Sequence, residues 1–326
     1  MVAKTYIIAE IGINHEGNVD KCLELIKKAK LSGVNAVKLQ TIDADLNYSV
    51  DTPSYKIFKS STLSIENTAK VFKFSKEIGL DVFTTVGDIP TAKWVKKLKP
   101  SAWKVSSSLL THIPLIEFLA KNKEPLFIST GLAIDKEIIK VIKVLKKNNK
   151  INYSLLHCTS IYPSKLTELN LHKITEYKKK FKVKVGYSDH SIGSFASSLA
   201  VANGAEVIEK HFSLDNKRNG YDHKISLNFN QMQNFVRKIR KVEKIMKNDD
   251  KKLNNLINKN RTKFLRVVVA NKDIKKGLKL NKNNIAIKRV NNNTRGVLPE
   301  QYHLIINKKI KKDVKKDELI STDLIM

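Results

Sequence analysis

Gly186-Tyr187-Ser188-Asp189-His190 and, one helix later, Glu209-Lys210-His211 decide the fold. Each is a short apolar or β-branched run that stops abruptly in polar side chains able to bind a ligand. Residues 183–187 read as a strand, with Ser188, Asp189 and His190 just past its end. Residues 206–210 read as the next strand, which closes on His211. Two histidines at the ends of consecutive strands, one helix apart, lie side by side on one rim of a parallel sheet. Taken singly, each reads equally well as a hydrogen-bonded strand cap or as a metal ligand, because neutral imidazole serves both roles. The rest of the chain decides between them.

Upstream, the same alternation repeats. Strands are expected over 5–11, 35–40, 80–85, 102–105, 125–129 and 151–156, and helices over about 19–33, 65–78, 91–98, 114–121, 136–147, 171–180, 193–203 and 230–246. Residues 41–65 read as a long irregular loop of the kind that covers a site. Eight strand–helix units imply a parallel sheet with right-handed crossovers, and they close naturally as a (β/α)8 TIM barrel. A doubly wound open sheet is the alternative, weakened because no glycine-rich dinucleotide fingerprint follows the first strand. In a barrel the C-terminal strand ends converge on one face. Glu10, Lys38, Thr85, Lys104, Ser129, Ser160, Ser188, His190, Glu209 and His211 all fall at or near such ends. Any one of them fits a cap; capping does not explain so many in register.

From Phe264 the pattern changes to short strands and turns (265–270, the Lys275-Lys276-Gly277 turn, 285–289, 310–320). The expected organisation is a catalytic barrel over 1–247, a Lys/Asn/Asp-rich linker over 248–262 with a frayed helix as its alternative, and a small β-rich domain over 263–326. About 60 residues bury too little to be very stable alone.

Composition narrows the function classes. The hydrophobic fraction of 41% supplies a large core, and no run approaches the roughly 20 apolar residues of a membrane span. The chain opens directly into a strand, so a cytoplasmic protein with no membrane partner is expected. Cys22 and Cys158 suggest no disulfide framework. Sixty-one Lys and Arg against 31 Asp and Glu give a net charge of +30, which invites a nucleic-acid reading. The lysines, however, are spread over nearly every helix (Lys27, Lys28, Lys96, Lys97, Lys146, Lys147, Lys178 to Lys180) with no recognition module or aromatic ladder. No specific nucleic-acid partner is expected; a diffusely positive surface steers anionic substrates instead.

Two histidines with a nearby carboxylate suit a divalent cation whose other positions stay open to water and substrate, where it acts as a Lewis acid on a carbonyl oxygen. Lys38, Lys104, Ser129, Ser160 and Ser188 supply cations and hydroxyls suited to a phosphate without a glycine-rich loop. Glu10 is a candidate general acid or base. Lys104 also reads as a lysine snorkelling from a strand end, and Glu10 as an ion-pair partner. Asp189 and Glu209 are expected to orient the imidazoles or bound waters. Together these groups suggest a carbonyl electrophile meeting a phosphorylated nucleophile.

The residues also carry a resemblance. Ile8-Ala9-Glu10-Ile11-Gly12-Ile13-Asn14-His15-Glu16-Gly17, Val37-Lys38-Leu39-Gln40, Ser129-Thr130-Gly131 and Leu155-Leu156-His157-Cys158-Thr159 closely resemble the sialic acid synthase (N-acetylneuraminate synthase) family. So do Tyr162-Pro163, Gly186-Tyr187-Ser188-Asp189-His190, Glu209-Lys210-His211-Phe212 and Gly220-Tyr221-Asp222-His223, and the C-terminal segment resembles that family's SAF (antifreeze-like) domain. The resemblance implies condensation of phosphoenolpyruvate with an N-acylated hexosamine to a nine-carbon 2-keto-3-deoxy acid. It implies a manganese or magnesium ion on His190 and His211, Glu10 handling a water, and catalytic roles for Lys38 and Lys104. Lys38, Lys104, Ser107, Ser129, Ser160 and Ser188 match positions around phosphoenolpyruvate, and Gln40, Tyr162 and Asp222 match sugar contacts. Arg289 lines up with an arginine that reaches the partner subunit's site in a domain-swapped homodimer.

Three departures bear on the acceptor. Leu109 stands where the family usually has a glutamate that touches the sugar. Thr84-Thr85-Val86-Gly87 replaces Ser-Thr-Pro-Phe, and Arg289-Val290-Asn291 replaces Arg-Pro-Gly, with Arg295 a rival for the reaching arginine. Legionaminic- and pseudaminic-type acids are therefore candidate products beside N-acetylneuraminate. Alternatives are a non-catalytic carbohydrate-binding relative, favoured by Leu109, and a keto-acid synthase using a phosphorylated aldose.

Overall fold

The computed structural model describes residues 4–247, 249–291, 293 and 295–326. It contains two compact units, 1–247 and 248–326.

The first unit is a closed barrel of eight parallel strands: β1 (Tyr6–Gly12), β2 (Ala36–Thr41), β3 (Asp81–Val86), β4 (Trp103–Val105), β5 (Leu126–Ser129), β6 (Tyr153–Cys158), β7 (Lys184–Asp189) and β8 (Val207–His211). β8 returns to pair with β1, setting His211 beside Glu10. The connecting helices are α1 (Val19–Ser32), α2 (Ala44–Asn47), α3 (Pro53–Ser61), α4 (Ile65–Glu77) and α5 (Ile89–Lys97) in the first half. α6 (Ile113–Ala120), α7 (Asp135–Lys147), α8 (Lys173–Phe181), α9 (Phe195–Ala202) and α10 (Phe229–Ile245) follow.

The helices form where an apolar stripe meets good ends. In α7, Ile138, Val141, Ile142 and Leu145 are buried at helical spacing while the lysines between them face outward. α1 starts on Asn18, whose side chain accepts the Lys21 amide, and stops at Gly33, whose φ of 86° suits glycine. The stretch 41–65, expected to be irregular, holds α2 and α3. Asp43 caps the first, and Thr52 with Pro53 at the first helical position starts the second.

Strand alternation divides the barrel into two cores. Ile7, Ala9, Val37, Leu39, Val82, Trp103, Ile128, Leu155, Val185 and Ile208 point outward and pack under the helices. Ile8, Ala36, Phe83, Ala102, Phe127, Leu156 and Val207 form a separate buried cluster that plugs the interior. Both cysteines are free and buried. The lysines read as solvated, such as Lys27, Lys96, Lys146 and Lys179, are exposed. Among the described residues no helix is long and apolar enough to cross a membrane.

In the second unit, the stretch expected as a linker carries a helix, α11 (Asp250–Phe264), opened by the Asp249 side chain accepting the Lys252 amide. β9 (Arg266–Ala270) pairs antiparallel with β10 (Ile285–Arg289). Short bridges complete the unit around its own core of Val268, Ile274, Leu280, Val297, Ile310 and Ile320.

Candidate active site

The site is one step up each strand from the apolar plug. Side chains two residues apart share a face of the sheet. The residue two past Ile8, Ala36, Phe83, Ala102, Phe127, Leu156, Gly186 and Val207 is, in turn, Glu10, Lys38, Thr85, Lys104, Ser129, Cys158, Ser188 and Glu209. All eight line one cavity of about 500 Å3 at the C-terminal end of the barrel. Gln40, Ser160, His190 and His211 line it one layer further out.

The floor of this cavity is a buried charge cluster. Lys38 Nζ lies 2.9 Å from Glu10 Oε2, 3.1 Å from Thr85 Oγ1 and 3.8 Å from Glu209 Oε2. Lys104 Nζ is 3.4 Å from Glu209 Oε1, which also accepts the Ser188 hydroxyl at 2.9 Å. Gln40 Nε2 donates to Glu10 Oε1 at 3.0 Å. The two carboxylates are driven apart. Burial, reinforced by the Glu209 charge and opposed by Lys38, raises Glu10 from its ordinary 4.5 to about 7. Burial also acts on Glu209, but Lys104, Lys38 and the Ser188 hydroxyl outweigh it and keep that carboxyl below its ordinary value. Burial pulls both ammonium groups down; Glu10 and Glu209 overcome this at Lys38, whereas Lys104 stays lowered. One carboxylate is thus fixed as an anion and the other is poised to exchange a proton near neutrality.

Above the floor the hydroxyls converge. Ser107 Oγ accepts the Gly131 amide at 2.9 Å and meets Cys158 Sγ at 3.0 Å. A Cβ on residue 131 would come 2.4 Å from Ser160 Oγ and 2.5 Å from Cys158 Sγ, so only glycine lets the three groups close in. Ser129 Oγ is buried without a hydrogen-bond partner. A polar cradle with an unspent Ser129 hydroxyl in the same cavity as two ammonium groups suits an anion rich in acceptor oxygens.

The ring centroids of the two histidines lie 5.5 Å apart. Burial lowers both, and at His211 the neighbouring His190 and lysines add to it, so both are neutral imidazoles at physiological pH. His190 Nδ1 pairs with the Thr159 carbonyl at 2.8 Å, so it carries the proton and leaves Nε2 as a lone pair. His211 Nδ1 is buried without a hydrogen-bond partner, with Asp222 Oδ2 3.5 Å away. Neutral rings with uncommitted nitrogens fit a divalent cation. Among the described residues no group of three or more His, Cys, Asp or Glu converges so as to hold a metal ion by itself.

Comparison with known proteins fits this geometry. The NeuB family profile matches residues 25–251 and the SAF domain profile residues 266–326. The chain belongs to the NeuB family. It is 33% identical over 326 residues to a pseudaminic acid synthase of Campylobacter jejuni, covering 96% of this chain and 94% of that one. It is 34% identical over 333 residues to an N,N'-diacetyllegionaminic acid synthase of the same organism, covering 97% and 99%. Among solved structures, the N-acetylneuraminic acid (sialic acid) synthetase of Leptospira borgpetersenii matches with a TM-score of 0.74 at 28% identity, covering 78% of this chain and 91% of that one. These named relatives are enzymes, and the architecture is a TIM barrel followed by a SAF domain.

Within this NeuB-family barrel, Glu10, Lys38, Gln40, Lys104, Ser107, Ser129, Ser160, Tyr162, Ser188, His190 and His211 all line the one cavity. The Tyr162 ring lies 4.2 Å from the His190 ring. Asp222 stands behind His211, and burial raises its carboxyl to about 6. Arg289 belongs to the SAF unit, where its Nε donates to the Lys263 carbonyl at 3.1 Å and its guanidinium stacks 4.5 Å above Phe264; Arg295 is exposed. The expectation for Asp189 fails. Alternation turns it outward from the barrel, where it accepts from Ser191 and Ser197 and faces Lys210 at 3.3 Å. Glu209 likewise bonds neither imidazole and instead serves the lysines. Sequence reasoning missed Asn47, Tyr48, Phe58 and Leu132 on the cavity wall. Cys158 was legible, two residues past inward-facing Leu156; the α2–α3 residues carried no comparable signal.

Proposed function

We propose that this protein is a synthase that condenses phosphoenolpyruvate with an N-acylated hexosamine, giving a nine-carbon nonulosonic acid and phosphate. The observation that carries the reading is the joining of Lys38, Lys104, Glu10, Glu209 and two neutral histidines in one cavity. The names of the relatives support the same class of product.

In this reading Lys38, Lys104 and the hydroxyls of Ser107, Ser129, Ser160 and Ser188 bind the phosphate and carboxylate of phosphoenolpyruvate. Gln40, Tyr162 and Asp222 orient the open-chain sugar. A manganese or magnesium ion on His190 and His211 would supply Lewis-acid polarisation of the sugar aldehyde. C3 of phosphoenolpyruvate bonds to the aldehyde carbon, whose oxygen takes up a proton. Water adds at C2, Glu10 accepts the proton it loses, and the C2–O bond to phosphate breaks as the 2-keto group forms. Glu209 remains ionised and holds both lysines in place. The reading includes a domain-swapped homodimer in which Arg289, or Arg295 as its alternative, completes the partner's site, and a cytoplasmic location.

Mass spectrometry of the product formed from phosphoenolpyruvate and a mixture of amino sugars tests the proposal. A nine-carbon keto acid appearing with stoichiometric phosphate is expected; no phosphate release with any acceptor would overturn it. His190→Ala and His211→Ala are expected to abolish turnover with little change in Tm. Undiminished activity of a metal-stripped preparation would remove the cation from the reading.

A further inference from the structure

The run Ile13-Asn14-His15-Glu16-Gly17 follows β1 directly, yet the reaction proposed above uses none of it. Asn14 is 1% exposed and lies outside the cavity lining. Its side chain reaches across to the loop between β8 and α10. Asn14 Nδ2 donates to the Phe212 carbonyl and to Ser226 Oγ, each at 3.0 Å, and its Oδ1 accepts the Asp222 amide at 3.2 Å. A backbone carbonyl only accepts and a backbone N–H only donates, so these partners fix the orientation of the Asn14 amide. Ser226 Oγ in turn donates to the Asp222 carbonyl at 2.6 Å. Both backbone polar groups of Asp222 are thus tied to Asn14, one directly and one through a hydroxyl. Glu16 holds the next residue. Its Oε1 accepts from His223 Nε2 at 2.9 Å and from Lys21 at 2.6 Å, and its Oε2 accepts from Arg218 at 2.9 Å.

The base of this loop depends on neither residue. The Leu227 amide donates to the His211 carbonyl at 2.8 Å, and the Ser213 amide to the Leu227 carbonyl at 3.1 Å, so backbone pairing closes it. The turn above the base is less self-sufficient. Tyr221 has a φ of 45°, a left-handed conformation disfavoured for a residue with a side chain, and such a turn persists where its neighbours hold it. What Asn14 and Glu16 add is the placement of that turn, which brings Asp222 Oδ2 to 3.5 Å from His211 Nδ1.

We propose that Asn14 and Glu16 are positioning residues for the acceptor, a clasp from the β1 loop that fixes the Asp222 carboxylate beside His211. The inference rests on the synthase reading and adds to it two residues that touch neither substrate.

The test is steady-state kinetics with each substrate varied in turn, the acceptor being the amino sugar that releases most phosphate in the mixture above. Asn14→Ala is expected to raise KM for the sugar about tenfold and Glu16→Gln about threefold, with KM for phosphoenolpyruvate held within about twofold. In an Asp222→Ala background, Asn14→Ala should cause no further loss of kcat/KM for the sugar, because the group it positions is already gone. A merely structural role gives the same loss with and without Asp222, or moves both KM values together. Either result overturns the clasp and leaves the synthase reading standing. Ser226→Ala breaks only the relayed bond and keeps those from Asn14 to Phe212 and Asp222. Where Asn14→Ala fails to fold, a rise of about twofold to threefold in sugar KM for Ser226→Ala at an unchanged Tm upholds the clasp, and an unchanged KM overturns it. No phosphate release by the wild type with any sugar overturns the synthase reading, and the clasp with it.

Discussion

The floor and the wall of the cavity are built by different means. The floor is made of strand residues, with Glu10, Lys38, Lys104 and Glu209 all at or below 4% exposure and each held by at least one other. The wall is made of residues beyond the strand ends: Tyr48 follows α2, Phe58 is in α3, and Leu109 and Leu132 follow β4 and β5, with Leu132 63% exposed. A strand residue cannot change without disturbing its register neighbours, whereas a loop residue can. Under the proposed function, the difference assigns reaction class to the floor and choice of acceptor to the wall. That division is open to experiment.

The largest effect is expected on the floor. Lys38→Ala leaves Glu10 and Glu209 buried together without the cation between them. Breaking a buried pair in this way costs about 3–5 kcal/mol of stability. With phosphoenolpyruvate varied, kcat/KM should fall about a thousandfold, the kinetic equivalent of about 4 kcal/mol. Denaturant unfolding and a phosphate-release assay check the two halves. A Lys38→Ala enzyme that keeps wild-type kcat/KM would break the contrast, because the floor would then be structural only.

Next comes Glu10, where stability and activity depend on pH with opposite signs. Its folded pKa of about 7 lies above the ordinary 4.5, so between those values the folded protein binds more protons than the unfolded chain. Its contribution to stability is therefore complete below the ordinary carboxylate range and is lost as pH rises through about 7. In the proposed reaction activity runs the other way, because there the ionised form takes the proton from water. An acid limb in kcat/KM with an apparent pKa near 7 is expected, belonging to the coupled cluster rather than to one residue. Glu10→Gln should cost about 100-fold in kcat and remove the limb. An unchanged pH profile in that variant would transfer the proton to another group.

The same contrast explains what was legible in the sequence. The eight-unit barrel could be read because every strand is an apolar run with a polar side chain at or near its C-terminal end, and the floor could be read because period-two alternation carries Ile8 to Glu10 and Ala36 to Lys38. Asp189 departs from its expected role because the same alternation governs it: Ser188 faces in, so Asp189 faces out. The wall was mostly hidden. Nothing periodic links Asn47 or Phe58 to a strand end, and their approach to the cavity depends on how α2 and α3 fold back, with Asp45 accepting from Tyr55 and Lys59. The Thr52-Pro53 signal for α3 was present in the stretch read as loop. Gly87 stands apart in the sequence, but its close contact with Asn47 exists only in the fold.

The smallest effect should fall on the wall, and its form matters more than its size. Phe58 lines the cavity with a ring stacked on Tyr48, so under the proposed function Phe58→Ala removes apolar contact with the acceptor while leaving the lysines, Glu10 and the histidines in place. A lost aromatic contact at a half-open site is worth about 1 kcal/mol, roughly a fivefold change. That change should appear as a higher KM for the amino sugar at an unchanged KM for phosphoenolpyruvate, measured by varying one substrate while the other saturates. Uniform binding lost from one substrate alone raises its KM and spares kcat. If Phe58→Ala instead raised both KM values together, α3 would be acting as a cover over the whole cavity, and floor and wall would have to be treated as one coupled unit.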